Sequence, residues 1–296
     1  MRILKQIVDD PAMLYYYGQK GLRNKAARER LAGWWISASG AGDPPVGTDT
    51  AQAQSMREDG LCFLPSLNLD ADALARVHGQ LDDKPLIDWY TGQQVESIQS
   101  DIPQRYIKLN QRLEDILACV PLVRLANDPL VLDTVGRVLG AKPTISSYMA
   151  WWTLGEHQAF GPANYDDIYH RDVDDLRFVK LFAYLTDATP TSGAHSFVMG
   201  SHRSPLFCKR GPISDEDVIA GFPASSITTL AAHAGTVFLE DTWGIHRPLL
   251  ATEGRRMIFS VTYGLTPWLP GRPAKPLLSL SPGLDAYVNR SFYYPA

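Results

Sequence analysis

Tyr169-His170-Arg171-Asp172, followed closely by the apolar run Phe178-Val179-Lys180-Leu181-Phe182-Ala183-Tyr184-Leu185, is the stretch from which the fold can be read. Side chains alternate along an extended strand, so a histidine and an aspartate one residue apart project from the same face. A second histidine arriving from a distant strand, His246, would complete a face of two imidazoles and one carboxylate. Such a set leaves three octahedral positions open and suits a non-haem Fe(II) that must also bind a cosubstrate and O2. His-x-Asp alone is a weak signal, and its surroundings supply the specificity.

Those surroundings form two blocks. The first continues from the apolar run through Thr186-Asp187 and a turn at Pro190 and Ser192-Gly193 to Ser196-Phe197-Val198-Met199-Gly200-Ser201-His202. The second runs Gly235-Thr236-Val237-Phe238-Leu239-Glu240-Asp241, Trp243-Gly244-Ile245-His246, then Gly254-Arg255-Arg256-Met257-Ile258-Phe259-Ser260-Val261-Thr262-Tyr263. In this order the chain resembles the phytanoyl-CoA dioxygenase family of Fe(II)/2-oxoglutarate oxygenases. The shared features are His-x-Asp, an apolar strand ending in Leu-x-Asp, a Gly-containing turn, Gly-Ser-His, the distal histidine and an arginine one short hairpin later. The resemblance covers roughly Gly60 to Leu265.

Composition agrees with an enzyme domain. The 296 residues are 45% hydrophobic and 20% charged, which is ordinary for a globular core. A net charge of −4 gives no reason to expect nucleic acid as a partner. No apolar run approaches the ~18 residues of a bilayer span, and Met1 to Asp10 lacks an apolar signal core. Three widely spaced cysteines, Cys62, Cys119 and Cys208, fit a reducing, cytoplasmic setting and exclude a disulfide scaffold.

The first 55 residues read as a basic, aromatic helical extension and linker, and residues 56–296 as the oxygenase domain. Seven Lys and Arg against three acids make residues 1–30 +4, which leaves −8 on the remainder. Ala27, Leu31 and Trp34/Trp35 follow helical spacing among Arg23, Lys25, Arg28 and Arg30. Two readings stand: residues 1–36 make a peripheral membrane contact, or the helix packs its aromatic end on the outside of the barrel. Ser37 to Ser55 reads as loop. Leu61 to Leu64 reads as a strand, and Asp70–Leu81 and Leu113–Cys119 as helices, the latter stopped by Pro121. A third helix has Asp128 as N-cap, Pro129 at its first position and Gly140 beyond its end. Strand signals then dominate at Ile145–Leu154, Arg177–Leu185, Ala194–Met199, Thr236–Leu239 and Met257–Tyr263. Helices before strands fit a mainly β domain with flanking helices, a double-stranded β-helix of the jelly-roll, cupin-like kind. The long irregular stretches Gly155–Tyr169 and Arg203–Gly235 are expected to fold over the substrate as a lid.

The resemblance implies that His170, Asp172 and His246 bind the iron, and that 2-oxoglutarate chelates it with O2 as the second cosubstrate. The far carboxylate of 2-oxoglutarate then needs a guanidinium inside the barrel. Arg255 and Arg256 both stand at a suitable distance, and alternation lets only one point inward. Small and hydroxylated companions (Ser260, Thr262) favour Arg256. Trp151, Thr153 and Phe182 are expected around the cosubstrate, and Lys180 and His157 around the substrate. Lys180 shares the inward parity of Phe182, where it must bind an anionic group or face solvent. His202 belongs to a turn that mainly shapes its hairpin, and His195 and His233, like His157, lie in or near the loops as further candidates for substrate contact. Pro248 departs from relatives that carry a hydroxyl there to help bind the cosubstrate. Halogenating relatives have a small residue at the carboxylate position, so Asp172 implies hydroxylation or another C–H oxidation, releasing succinate and CO2. The substrate class left open is a small molecule, a sugar or a lipid-linked molecule. Two other readings compete: a cupin-like isomerase or lyase without 2-oxoglutarate, and a non-catalytic binding protein on the same scaffold.

Overall fold

The computed structural model describes residues 7–8, 10–11, 13–40, 43–160 (without the side chains of 158–160), 168–208, 211–268, 273 and 275–294. Its strands are β1 (Leu61–Phe63), β2 (Leu86–Asp88), β3 (Gln94–Val95), β4 (Lys108–Gln111), β5 (Thr144–Leu154), β6 (Phe178–Tyr184), β7 (His195–Val198), β8 (Ile227–Leu230), β9 (Val237–Glu240), β10 (His246–Pro248), β11 (Arg255–Gly264), β12 (Leu278–Ser279) and β13 (Tyr293–Tyr294). Eight of them make one sheet in the order β1-β9-β6-β11-β5-β4-β2-β3, and a second sheet has the order β10-β7-β8. The two face each other as a jelly roll.

Alternation divides the large sheet into two chemical faces. Tyr148, Ala150 and Trp152 of β5, Val179, Leu181 and Ala183 of β6, and Met257, Phe259, Val261 and Tyr263 of β11 are buried with the helices in the main hydrophobic core. The opposite parity turns Phe182, Tyr184, Phe238 and Ile258 toward the small sheet, where they meet Phe197 and Leu230. Pairing Arg256 of β11 with Thr153 of β5, and Ser260 with Phe182 of β6, places the polar residues of the inner face around one cavity.

The helices on the outer face start and stop where local chemistry directs. Asp70 caps Ala71–Leu81 by accepting from the Ala73 amide, and Asp128 caps Pro129–Leu139 through the Leu130 amide. That helix ends on Gly140 at φ 73°, a left-handed turn that glycine adopts without a Cβ penalty. Pro121 opens the helix Val120–Ala126 as well as ending the preceding one, because a proline in the first turn gives up an amide that has no partner there anyway.

Three regions differ from the sequence reading. Ser37–Ser55 is loop only in its middle: one helix runs Lys25–Ser39, and another, Ala51–Glu58, starts from Thr50, whose side chain accepts from the Ala53 amide. Ala53 and Met56 bury against the core, which outweighs the polar composition. Arg203–Gly235 contains the helix Asp215–Gly221, capped by Ser214, and strand β8. Within Gly155–Tyr169, the expected lid, residues 161–167 lie outside the described residues. The short strands β2, β3 and β4 extend the large sheet at one edge without a clear periodic signal.

The N-terminal helices pack on the segment that follows Asp172. Arg28 is buried and donates to the Asp175 carbonyl and to Gln19, and its guanidinium lies 4.6 Å from the Trp243 ring centroid. Tyr15 donates to Asp175 Oδ1 at 3.0 Å, and Trp35 packs edge-on against Trp268. Trp34 and Leu31 remain exposed. No helix among the described residues is long and apolar enough to cross a membrane.

Candidate metal centre

His170 and His246 pair across the two halves of the barrel. Each backbone amide donates to the other's carbonyl, at 3.0 and 3.1 Å, and the Asp172 amide donates to the Thr242 carbonyl. His170 makes only an isolated bridge, so the His-x-Asp segment is a loop rather than the strand expected from the sequence, and the bridge holds it beside the start of β10, where the sequence-distant histidine supplies the third group. His170 Nε2 lies 3.8 Å from Asp172 Oδ1, and His246 Nε2 lies 3.5 Å from Asp172 Oδ2. A metal with bonds of about 2.1 Å to nitrogen and oxygen can bridge such gaps. Both Nδ1 atoms are occupied, His170 with the Ile168 carbonyl at 2.8 Å and His246 with the Gly244 carbonyl at 3.0 Å. That bond places a proton on Nδ1 and leaves the Nε2 lone pair for a metal. The donor set therefore fits Fe(II).

Charge around the three ligands is balanced by Lys180. Its ammonium donates to Asp172 Oδ2 at 2.6 Å and lies 2.8 Å from Asp174 Oδ2. Burial works against the lysine's charge, but the two carboxylates outweigh it and hold its pKa well above the usual range. Burial likewise opposes ionisation of Asp172, yet Lys180 and the two histidines bring it well below its usual value. His246 is raised: burial disfavours the charged ring, and Asp172 more than compensates. Lys180 is thus engaged by the carboxylates beside the metal ligands, which leaves its expected contact with substrate without support.

The cavity beside the ligands measures about 210 Å³, and Trp151, Thr153, Lys180, Phe182 and Arg256 line it together with His170, Asp172 and His246. Arg256 is 2% exposed. It donates to the Gly193 carbonyl and, at 3.1 Å, to Thr153 Oγ1, while its Nε has no partner. Among the described residues no carboxylate pairs with it, and burial lowers its pKa. A desolvated guanidinium of this kind is costly unless an anion completes it. Arg255 has the opposite parity: it lies at the surface, paired with Glu156 at 2.5 Å and with the Ile98 carbonyl at 3.0 Å. Alternation thus separates the two arginines, and only Arg256 reaches the cavity.

His157 is placed away from the cavity, buried with its Nδ1 on the Tyr106 carbonyl at 2.9 Å, so a substrate contact through it is not supported. Its position before residues 161–167 made it look loop-borne, whereas the short 3-10 turn Gly155–Phe160 tucks it under the β4 edge. The Gly-Ser-His turn is structural. Ser201 Oγ accepts from the Ile245 amide, its carbonyl accepts from Arg171, and His202 Nε2 lies 3.1 Å from the Arg57 carbonyl. Two further residues lie close to the ligands: His195, which the sequence reading weighed only as one of three loop-side histidines for substrate contact, and Glu240, which carried no role there. Their side chains and that of His246 place three buried ligand-type atoms within 4.8 Å of one another. Glu240 ends an apolar strand with the parity of Phe238, and that parity was the available signal.

Residues 56–248 match the family model described as Phytanoyl-CoA dioxygenase (PhyH). No curated protein sequence matches significantly. Among solved structures the chain is similar to EctD from S. alaskensis with bound Fe, at 19% identity over 86% of this chain and 92% of that one, with a TM-score of 0.55. The same protein with 2-oxoglutarate and 5-hydroxyectoine gives 19%, 86%, 89% and 0.54. The non-heme alpha ketoglutarate dependent epimerase SnoN from nogalamycin biosynthesis gives 18%, 76%, 91% and 0.52. At such identities the shared property is the jelly-roll fold.

Proposed function

We propose, from the premise that the chain belongs to the phytanoyl-CoA dioxygenase family, that its inner cavity brackets 2-oxoglutarate between the His170/Asp172/His246 ligands and Arg256 and oxidises a C–H bond of a small molecule. The chain is a 2-oxoglutarate-dependent non-haem iron dioxygenase, with Fe(II), 2-oxoglutarate and O2 as its reactants and cofactors. When bound, the iron couples decarboxylation of 2-oxoglutarate to succinate and CO2 with oxidation of the substrate by O2. The protein's part follows from its own groups. Asp172 occupies the carboxylate position, which supports hydroxylation rather than halide transfer. The Nδ1 bonds of His170 and His246 keep both rings oriented toward one point. Phe182, Leu249 and Ile258 give the cavity an apolar wall.

The observation that carries this reading is the buried guanidinium of Arg256 at the cavity wall, paired with no carboxylate among the described residues. A planar fork can hold a carboxylate through two parallel hydrogen bonds. Anaerobic 2-oxoglutarate binding to the Fe(II)-loaded protein tests it. Arg256→Ala is expected to lose binding by at least ~100-fold, the size of a charge-assisted bidentate contact, and Arg255→Ala to keep it. Equal effects of the two variants would sink the assignment. Succinate release against small-molecule pools then identifies the substrate, for which Trp89, Lys108 and Trp151 form one wall of the cavity.

A further inference from the structure

A second pair of ionisable groups sits inside the barrel, beside the three proposed metal ligands. Glu240 is 0% exposed, with Phe238 on the same face of its strand. Its two carboxylate oxygens each lie 3.1 Å from His195 Nε2. The His195 ring is stacked on that of His246, 5.3 Å between centroids and 9° between planes, with the Phe182 ring also at 5.3 Å. A carboxylate enclosed by aromatic rings is expensive. If its only role were packing, an apolar pair of similar volume would serve as well or better.

The location of His195 suggests what the cost supports. The residue lines the same cavity as the metal ligands and Arg256. It faces Pro248 across the β7–β10 pair and follows by two residues Gly193, whose carbonyl receives Arg256. It therefore stands on the wall between the metal end and the guanidinium end, among Phe182, Pro248, Leu249 and Ile258, whose side chains offer no polar atom. With Nε2 committed to Glu240, Nδ1 is the ring nitrogen left for a ligand.

We propose that His195 contacts 2-oxoglutarate along its length and that Glu240 is the positioning residue that aims the ring. The proposal rests on the reading that the ligands and Arg256 bracket this cosubstrate. It makes the cavity select its dicarboxylate at three places: the metal end, the guanidinium end and the wall between them.

The test replaces both partners, His195→Leu with Glu240→Leu, because removing the histidine alone would strand a buried carboxylate. The Fe(II)-loaded proteins are titrated anaerobically with 2-oxoglutarate by calorimetry and by the visible charge-transfer absorption of the iron–cosubstrate complex. The double variant is expected to keep one iron per chain, to bind 2-oxoglutarate roughly tenfold more weakly, the size of one hydrogen bond to a charged group, and to show a shifted absorption band. In substrate-free turnover KM for 2-oxoglutarate rises while kcat holds. Glu240→Gln, which keeps an acceptor for His195, is expected to restore most of the affinity. Wild-type affinity and an unshifted band in the double variant would overturn the proposal, as would loss of iron from a folded double variant, which would make the pair part of the metal site. Should the double variant not fold, His195→Gln withdraws the ring and is judged by the same affinity and band. If the unaltered protein fails to bind 2-oxoglutarate, or Arg256→Ala binds it normally, the bracketing reading itself fails. Loss in Arg256→Ala with a normal double variant removes only the role given to His195.

Discussion

Replacing Lys180 by methionine removes one cation from between two carboxylates and keeps the length of the side chain. The ammonium lies 2.6 Å from Asp172 Oδ2 and 2.8 Å from Asp174 Oδ2, and the lysine, Asp172 and Asp174 side chains are only 17%, 24% and 16% exposed. Breaking a largely buried charge network by removing one partner costs about 3 kcal/mol or more, because the remaining charges lose their compensation in a poorly solvated place. For a chain of this size each kcal/mol shifts the midpoint by roughly 2–4 °C, so the metal-free variant should melt roughly 6–12 °C below the unaltered protein. A divalent cation at the three ligands supplies positive charge to Asp172 by another route, so saturating Fe(II) or Mn(II) should close about half of that gap. Lys180 and the metal compete for the same carboxylate, hence the variant should bind metal more tightly. Thermal unfolding by circular dichroism, in chelator and in saturating metal, measures both effects. An unchanged melting point without metal, or weaker metal binding by the variant, would refute the reasoning.

Other outcomes follow from the same geometry. His246→Ala should lose stoichiometric iron while remaining folded, as measured by metal analysis after desalting. Because the His246 pKa is raised in the metal-free site, a proton must leave before the metal binds, and iron affinity should fall as pH is lowered. His78 is raised above 6.5, first by its hydrogen bond to Asp82, with burial opposing and the Leu185 carbonyl assisting. Its contribution to stability is therefore complete below 6.5 and lost as pH rises through the raised value. Asp82→Asn should then destabilise the protein more at pH 6 than at pH 9 in urea unfolding. Phe259, 0% exposed in the main core, should cost about 3–5 kcal/mol when cut to alanine, read as a lower urea midpoint with an unchanged m-value.

The fold was legible wherever one physical rule dominated a segment. Strands β5, β6, β9 and β11 are rich in apolar and aromatic residues, so largely hydrophobic runs marked them. The helix at Pro129–Leu139 was bounded by its own cap chemistry, Asp128 and Gly140. Strands β2 and β3 were not legible, because strands of three and two residues carry no period; β2 is held by register with β4, and β3 by register with β2. The helix Ala51–Glu58 was hidden by its polar composition, since only Ala53 and Met56 of its eight residues turn to the core.

Within the site, parity was the most useful rule, and its limits are equally physical. It predicted that one arginine of the Arg255-Arg256 pair faces inward, and the packing of Thr153 and Gly193 shows which. It placed Lys180 inward with Phe182, yet could not tell an anion-seeking lysine from one already neutralised, because Asp174 and Asp172 come from a loop with no strand periodicity. Glu240 shares that inward parity, which the sequence reading did not use, and at such a position an unpaired acid would be costly; the structure supplies its partner across the barrel. The partner, His195, lies on a strand of the other sheet, and no local pattern links the two. An inward charge on a closed sheet therefore implies a compensating group elsewhere around the cavity, on the facing sheet or on a loop that enters it. Here that implication holds for Lys180 with the acids beside the metal ligands and for Glu240 with His195. For Arg256 no compensating acid is present among the described residues, which is the physical reason for placing a dicarboxylate there.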